Sequence, residues 1–238
     1  MSKNKISREI QVLVNQFNAK QFQNVILKGT VLIKKNPNYP LLYNLVGSAY
    51  QSIGDFINSQ KNFKNGLRID PNNLALMNNL AMSYKNLLRF DLAEELYTEI
   101  LKKNDKYVNA YVNLGNLKRD LNIFDEAIRM YEKAFSISKD NPIIYYSLAL
   151  AHQGIGNFDK AIFFSQKALE LDSNFTRADH LISQSTNYNE KSLHYIKLKE
   201  KISNYNSKNF EKIDLYFSLA KAEEDIGNIE KAANYLIK

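Results

Sequence analysis

The stretch VNAYVNLGNLKRDLNIFDEAIRMYEKAFSISKDN, residues 108–141, decides the fold. Tyr111, Leu114, Gly115 and Lys118 stand at i, i+3, i+4 and i+7, the spacing that lays one face of a helix against a neighbour. A break follows at Asn122. Ala127, Tyr131, Ala134 and Phe135 then form a second stripe, with Phe124 leading in and Asp125 as the expected N-cap. The pattern predicts a helix, a tight turn and a second helix. One such pair leaves an apolar face uncovered on each side, so copies stacked on it are expected.

The copies are present. A frame moved in steps of 34 residues gives five gapless units, 6–39, 40–73, 74–107, 108–141 and 142–175. Phenylalanine falls at one place in all of them: Phe22, Phe56, Phe90, Phe124 and Phe158. Tyr43, Met77, Tyr111 and Tyr145 share a large place, while Gly47, Ala81, Gly115 and Ala149 share a small one where two helices must approach closely. Ser59, Ala93, Ala127 and Ala161 repeat the small requirement in the second helix.

These residues resemble the tetratricopeptide repeat family, whose pattern runs large, Leu, Gly, Tyr, then Ala, Phe, Ala, Pro, with Pro37 and Pro71 at the closing proline. The resemblance covers residues 6–175. It implies an all-α fold, an α-solenoid in which helix-turn-helix units stack into a right-handed superhelix with the first helices lining its concave side. Departures are local. Lys118 and His152 replace the aromatic that Tyr50 and Tyr84 supply, and Asp105 and Lys139 stand at the proline place. The first unit, with Val25 and Gly29 for Ala and Phe, is expected to act as an N-terminal cap.

Composition narrows the class. Only 8 Gly and 4 Pro argue against a turn-rich β protein, and the absence of Cys excludes disulfides and thiolate zinc sites. No apolar run approaches ~18 residues and no signal-peptide core follows Met1, so a cytoplasmic protein without a membrane partner is expected. The net charge of +7 is uneven: residues 1–39 carry 7 Lys and Arg against 1 Glu, and residues 176–212 carry 7 against 4 acids. The units from 40 to 175 balance. A groove for phosphates would gather basic residues on one face with aromatics to stack bases, so nucleic-acid binding is not expected.

Beyond Phe175 the residue classes of the repeat lapse. Residues 176–212 are expected as a helical spacer out of register, with helices over 176–187 and 190–203, a loop over 204–209 and a looser seam. Residues 213–238 then read as a partial sixth unit, with Tyr216 at the large place, Leu219 and Ala220 at Leu-Gly, Gly227 and Asn228 in the turn, and Ala232 at the small place. Leu215 to Ala222, Glu224 to Gly227 and Lys231-Ala232 resemble the junction segment of bacterial tetratricopeptide-repeat sulfotransferases, and Arg177 to His180 is similar to the helix after that family's last regular repeat. That resemblance implies a catalytic domain beyond residue 238 using phosphoadenosine phosphosulfate. Ala220 for Gly and Glu223 for an aromatic depart from it. No Gly-rich loop able to cradle donor phosphates occurs in the sequence. The uncapped helical pattern at Lys238 likewise suggests the front part of a longer protein.

Catalytic, metal and cofactor roles find no support in the residues. His152, His180 and His194 lie on separate helical segments, none with an i+4 metal-binding partner. His152 is expected as an ordinary packing histidine. Glu223, Glu224 and Asp225 point different ways on a helix and are expected as a solvated face.

The remaining function is binding, and the resemblance assigns it to the first helices. The candidate peptide-binding residues are Asn44, Asn78, Asn79, Met82, Lys85, Asn109, Asn113, Asn116, Arg119 and Tyr146. Asn costs helix propensity against Ala or Lys, so its use at mid-helix sites needs a reason. Two stand open. The chain is rich in Asn throughout; alternatively the row is similar to the asparagines inside the superhelix of the O-linked N-acetylglucosamine transferases, which hold an extended peptide backbone. Asn79 and Asn113, 34 residues apart, would then each hold one backbone amide unit with a donor and an acceptor. The expected partner is a protein or extended peptide.

Overall fold

A computed structural model describes residues 3–204 and 211–237. Of the expected loop over 204–209, Asn204 instead ends a helix and the rest lies outside the described residues, as does Lys238. The helices follow the 34-residue frame: α1 (Lys3–Asn18), α2 (Phe22–Lys35), α3 (Pro40–Ser52), α4 (Phe56–Ile69), α5 (Leu74–Asn86), α6 (Phe90–Lys103), α7 (Val108–Asp120), α8 (Phe124–Ile137), α9 (Pro142–Gly154) and α10 (Phe158–Leu171). α11 (Thr176–Gln184), α12 (Leu193–Asn204), α13 (Glu211–Ile226) and α14 (Ile229–Leu236) complete them. The fold is all-α, with no strand among the described residues. Contacts divide the chain into two compact units, residues 1–117 and 118–238.

Local chemistry explains where the helices start and stop. Asp55, Asn73 and Asn157 accept from the third backbone N–H after them and so cap α4, α5 and α10. Pro40 and Pro142 occupy the first turns of α3 and α9, where a missing N–H costs nothing. Asp125 is not the N-cap of α8. The helix begins at Phe124, so Ile123 takes the cap position without a side-chain bond and Asp125 lies inside the first turn. There its charge still suits the helix dipole.

The tight turn within each pair depends on one left-handed residue. Lys20, Gly54, Leu88, Asn122 and Gly156, spaced 34 apart, have φ of 58°, 82°, 58°, 59° and 75°. Glycine accepts that conformation freely and asparagine tolerates it, whereas a leucine Cβ meets the backbone. Leu88 is strained and also 74% exposed.

In the unit of residues 1–117, close approach of helices is set by glycines facing large side chains. A Cβ on Gly47 would fall 2.5 Å from the ring of Phe63, and one on Gly66 would fall 2.9 Å from Leu76. Gly29, which stands where the next three repeats have Phe63, Tyr97 and Tyr131, lets Val46 of α3 reach the α2 backbone, where a Cβ would meet it at 2.4 Å. The buried Oγ atoms of Ser59 and Ser83 satisfy each other at 2.8 Å.

The unit of residues 118–238 uses the same device. A Cβ on Gly154 would sit 2.2 Å from the Phe124 ring, which places that half-buried ring on the end of α9. His152 is buried and stacks on Phe164 with centroids 5.4 Å apart, so it packs as an aromatic would. Burial lowers its pKa, which keeps the ring neutral and compatible with the apolar contact. Lys118, at the equivalent place of the preceding repeat, reaches Glu126 at 3.0 Å.

α11 and α12 remain helices although the repeat residues lapse, but α11 packs on α10 and α13 and meets α12 little. α12 begins 35 residues after α10, at Leu193 against Phe158. Its Tyr195 and Leu198 enter a core with Leu215, Leu219 and Ala222 of α13. Glu223 differs from expectation. It is buried, accepts from the Tyr195 hydroxyl at 2.7 Å and from Asn228 Nδ2 at 2.8 Å, and so is held by two donors instead of water.

Two stability effects follow. Phe124→Ala removes the ring seated on Gly154 and is expected to cost roughly 3 kcal/mol through lost burial and a cavity. Leu88→Gly relieves the left-handed strain and is expected to add about 1 kcal/mol after the entropy of glycine is counted. Thermal melts followed by circular dichroism check both: a lowered midpoint for the first and a raised one for the second.

Candidate first-helix binding face

The candidate residues divide between the two units. In the first, Asn44 lies on α3, Asn78, Asn79, Met82 and Lys85 on α5, and Asn109, Asn113 and Asn116 on α7. Asn78 is buried and Asn109 is exposed; the others are half-buried. Arg119 and Tyr146 belong to the second unit.

Four of the asparagines form a ladder across three successive first helices. Asn113 Nδ2 donates to Asn78 Oδ1 at 3.0 Å, Asn78 Nδ2 approaches Asn79 Oδ1 at 3.5 Å, and Asn79 Nδ2 donates to Asn44 Oδ1 at 2.8 Å. Gln51 extends the polar row, its Nε2 lying 3.3 Å from Ser83 Oγ. From sequence, Asn79 and Asn113 are expected to act as independent pairs of donor and acceptor. The structure corrects this for Asn79, whose nitrogen and oxygen are both engaged by neighbouring amides. The ladder supplies a physical reason for asparagine at mid-helix that neither composition nor ligand binding required: each amide bonds the next helix. One proton of each donating amide and a lone pair of each accepting oxygen are used, so a second proton and lone pair remain on the inner residues.

The other candidates have their own surroundings. Asn109 bonds the Tyr107 side chain, whose pKa burial raises and this bond lowers. In the second unit Arg119 meets Asp120 at 3.1 Å. Tyr146 packs edge-on to Phe175 with centroids 5.2 Å apart, and the Arg177 guanidinium lies over both rings at 5.5 and 4.9 Å. Burial raises the pKa of the Tyr146 hydroxyl, opposed by the charge of Arg177. Arg177 escapes the sequence reading because its stacking platform joins the two ends of the preceding unit, Tyr146 and Phe175, which only packing brings together.

A second polar cluster, also missed, joins α11 and α12. Asp179, 4% exposed, receives His194 Nε2 at 3.2 Å and also Lys201 Nζ. The Tyr188 hydroxyl lies 2.6 Å from His194 Nδ1 and 3.0 Å from Ser183 Oγ. No group of three or more His, Cys, Asp or Glu suited to a metal ion occurs among the described residues. No helix among them is long and apolar enough to cross a membrane.

Comparison with known proteins agrees with the repeat geometry. Residues 41–73 match the family model described as tetratricopeptide repeat, and residues 74–185 match that of the tetratricopeptide repeat protein 21 C-terminal ARM domain. No curated protein matches the chain in sequence. Among solved structures, a thermophilic tetratricopeptide-repeat protein of Thermus thermophilus is similar at 18% identity and a TM-score of 0.69, covering 75% of this chain and 97% of that one. One from Parabacteroides merdae shares 15% identity over 97% of this chain and 90% of its own, at a TM-score of 0.67. PilF of Pseudomonas aeruginosa shares 18% over 82% and 87%, at 0.63. The fold is that of tetratricopeptide-repeat proteins, and the family-model matches lie within residues 41–185.

The ladder predicts coupling between its members. Asn78→Ala and Asn113→Ala each remove one partner of the 3.0 Å bond. A double-mutant cycle on unfolding free energy is expected to give an interaction of about 1 kcal/mol. Strict additivity would mean that the bond contributes nothing in water.

Proposed function

We propose that this chain is a non-catalytic cytoplasmic scaffold that binds an extended peptide of a partner protein along the first helices of residues 40–117. The observation that carries the reading is the amide ladder of Asn44, Asn79, Asn78 and Asn113. It sets polar groups on successive helices in one row, fixed in orientation before any ligand arrives, so less ordering is needed on binding. An extended peptide advances ~3.3 Å per residue and stacked helix pairs roughly 10 Å, so equivalent backbone groups recur about every three residues along such a row. Leu41, exposed, and Met82, half-buried, offer apolar contact beside the amides. The face therefore suits a peptide of little net charge with apolar side chains between its backbone contacts.

A second reading rests on residues 215–232, which form the α13–α14 pair with Leu219 and Ala220 buried, as the resemblance to the sulfotransferase junction implies. In that reading the same face presents substrate to a sulfotransferase domain encoded after residue 238. A phosphate-binding loop in the downstream reading frame would support it.

Binding to a peptide array, by the native chain and by the Asn44→Ala, Asn113→Ala double variant, tests the first reading. Loss of two contacts of about 1 kcal/mol each is expected to weaken binding roughly tenfold to thirtyfold, alike for peptides of different sequence. Undiminished binding by the double variant, with its helix content unchanged, would refute the ladder as the contact surface.

A further inference from the structure

Four hydrogen-bond contacts in the α11–α12 cluster have to be served by the protons of three side chains. Ser183 Oγ lies 3.0 Å from the Asp179 backbone carbonyl, Ser183 Oγ and Tyr188 Oη are 3.0 Å apart, Tyr188 Oη and His194 Nδ1 are 2.6 Å apart, and His194 Nε2 is 3.2 Å from Asp179 Oδ1. The carbonyl only accepts. So does the Asp179 carboxylate, whose other oxygen accepts from Lys201 Nζ. Serine brings one proton and tyrosine one. Burial pushes the Tyr188 hydroxyl up to about 12, so it keeps its proton at neutral pH. A neutral imidazole adds a third, placed on Nε2 by the carboxylate, and one contact is then left without a proton. An imidazolium adds two. With it the chain closes: Ser183 donates to the carbonyl, Tyr188 to Ser183, Nδ1–H to Tyr188, and Nε2–H to Asp179.

We propose that the Asp179–His194–Lys201 cluster is a proton-controlled latch, closed when His194 is an imidazolium and loosened when His194 loses its Nδ1 proton. The latch holds α12 on α11. α12 packs on α13 through Tyr195 and Leu198, while its polar side reaches α11 through His194 and Lys201. Beside the latch a cleft of about 690 Å³ opens between α10, α11 and α12, with Asp179 and Ile182 in its lining and Leu193 at 65% exposure. Loosening α12 would widen this cleft.

Other charges around the imidazole come from every neighbouring element. Lys197 and Glu200 line the cleft from α12, and Glu170 from α10, where Lys167 holds it at 2.7 Å. On the α13 side, Asp225 accepts the Tyr188 backbone N–H at 3.1 Å and pairs with Lys221. Of these acids, Asp179 is shared with Lys201, Glu170 is paired with Lys167 and Asp225 with Lys221, while Glu200 lines the same cleft as Glu170. The direction follows from the proton count: the latch is complete at low pH and loses one contact as pH rises.

The test is hydrogen exchange of the amides of residues 193–201 in the native chain, corrected for intrinsic rate, between about pH 5.5 and about pH 8. Protection is expected to fall about fivefold across that range, one net hydrogen bond, while α3 to α6 stay constant. Nitrogen NMR of the His194 ring should show both nitrogens protonated at the lower pH. Ser183→Ala separates the latch from a merely structural cluster. Without the serine only two side-chain contacts remain, and the tyrosine proton with one imidazole proton serves both. This variant should keep α12 protected and lose its dependence on pH. Flat protection in the native chain, or a pH dependence that survives Ser183→Ala, would overturn the latch.

Discussion

Close contact between a large ring and a missing Cβ is the constraint on which the stack depends. Phe63 lies over Gly47, and Phe124 over Gly154; in each case a methyl group would come within 2.5 Å of ring carbon. Helices at that separation exclude any side chain between them, so the small residue and the ring must be chosen together. Dense packing of this kind tolerates little change in volume, because the surrounding rings have nowhere to move. Gly47 and Gly154 stand at different places of the repeat, so the two units use the same device at different points of the frame.

The polar groups obey a related rule. Once helices are this close, a mid-helix polar side chain is at least partly removed from water and has to find a partner among its neighbours. The asparagines of α3, α5 and α7 solve this with one another, and Ser59 and Ser83 do so as a hydroxyl pair. Glu223, Asp179 and His194 solve it between elements of the second unit. A binding face made of such residues is rigid before it meets a ligand. That is useful for gripping a flexible peptide, whose own ordering already opposes association.

Where the repeat residues lapse, the chain exchanges apolar interlock for ionic and hydrogen-bonded contact. α12 has two buried apolar anchors, Tyr195 and Leu198, and a charged attachment to Asp179 on its other side. Apolar contacts respond weakly to pH, whereas a chain of hydrogen bonds that runs through an imidazole depends on how many protons the ring carries.

Period and residue class were legible in the sequence because they are imposed locally: a helix stripe shows in spacing, and a Gly or Ala at a fixed place shows that two backbones meet. The places of the second helices follow from that pattern, although α8 starts at Phe124 itself, ahead of the cap expected at Asp125. The left-handed residue was only half visible. Gly54, Gly156 and Asn122 carry a turn signal, but Lys20 and Leu88 adopt the same φ because the helices on either side enforce it. The partners of side chains were not legible at all. Asn79 bonds Asn44 and Asn113 bonds Asn78, in each case the residue 35 positions back, a repeated bond that appears only once the helices are stacked. Glu223 looked solvated and is buried, since Tyr195 and Asn228 converge on it from α12 and from the turn before α14. Local spacing determines which residues must be small, large or helical, because those demands act within one or two turns; tertiary structure alone decides which polar groups meet, because their partners lie up to 38 residues away and are brought together only by packing.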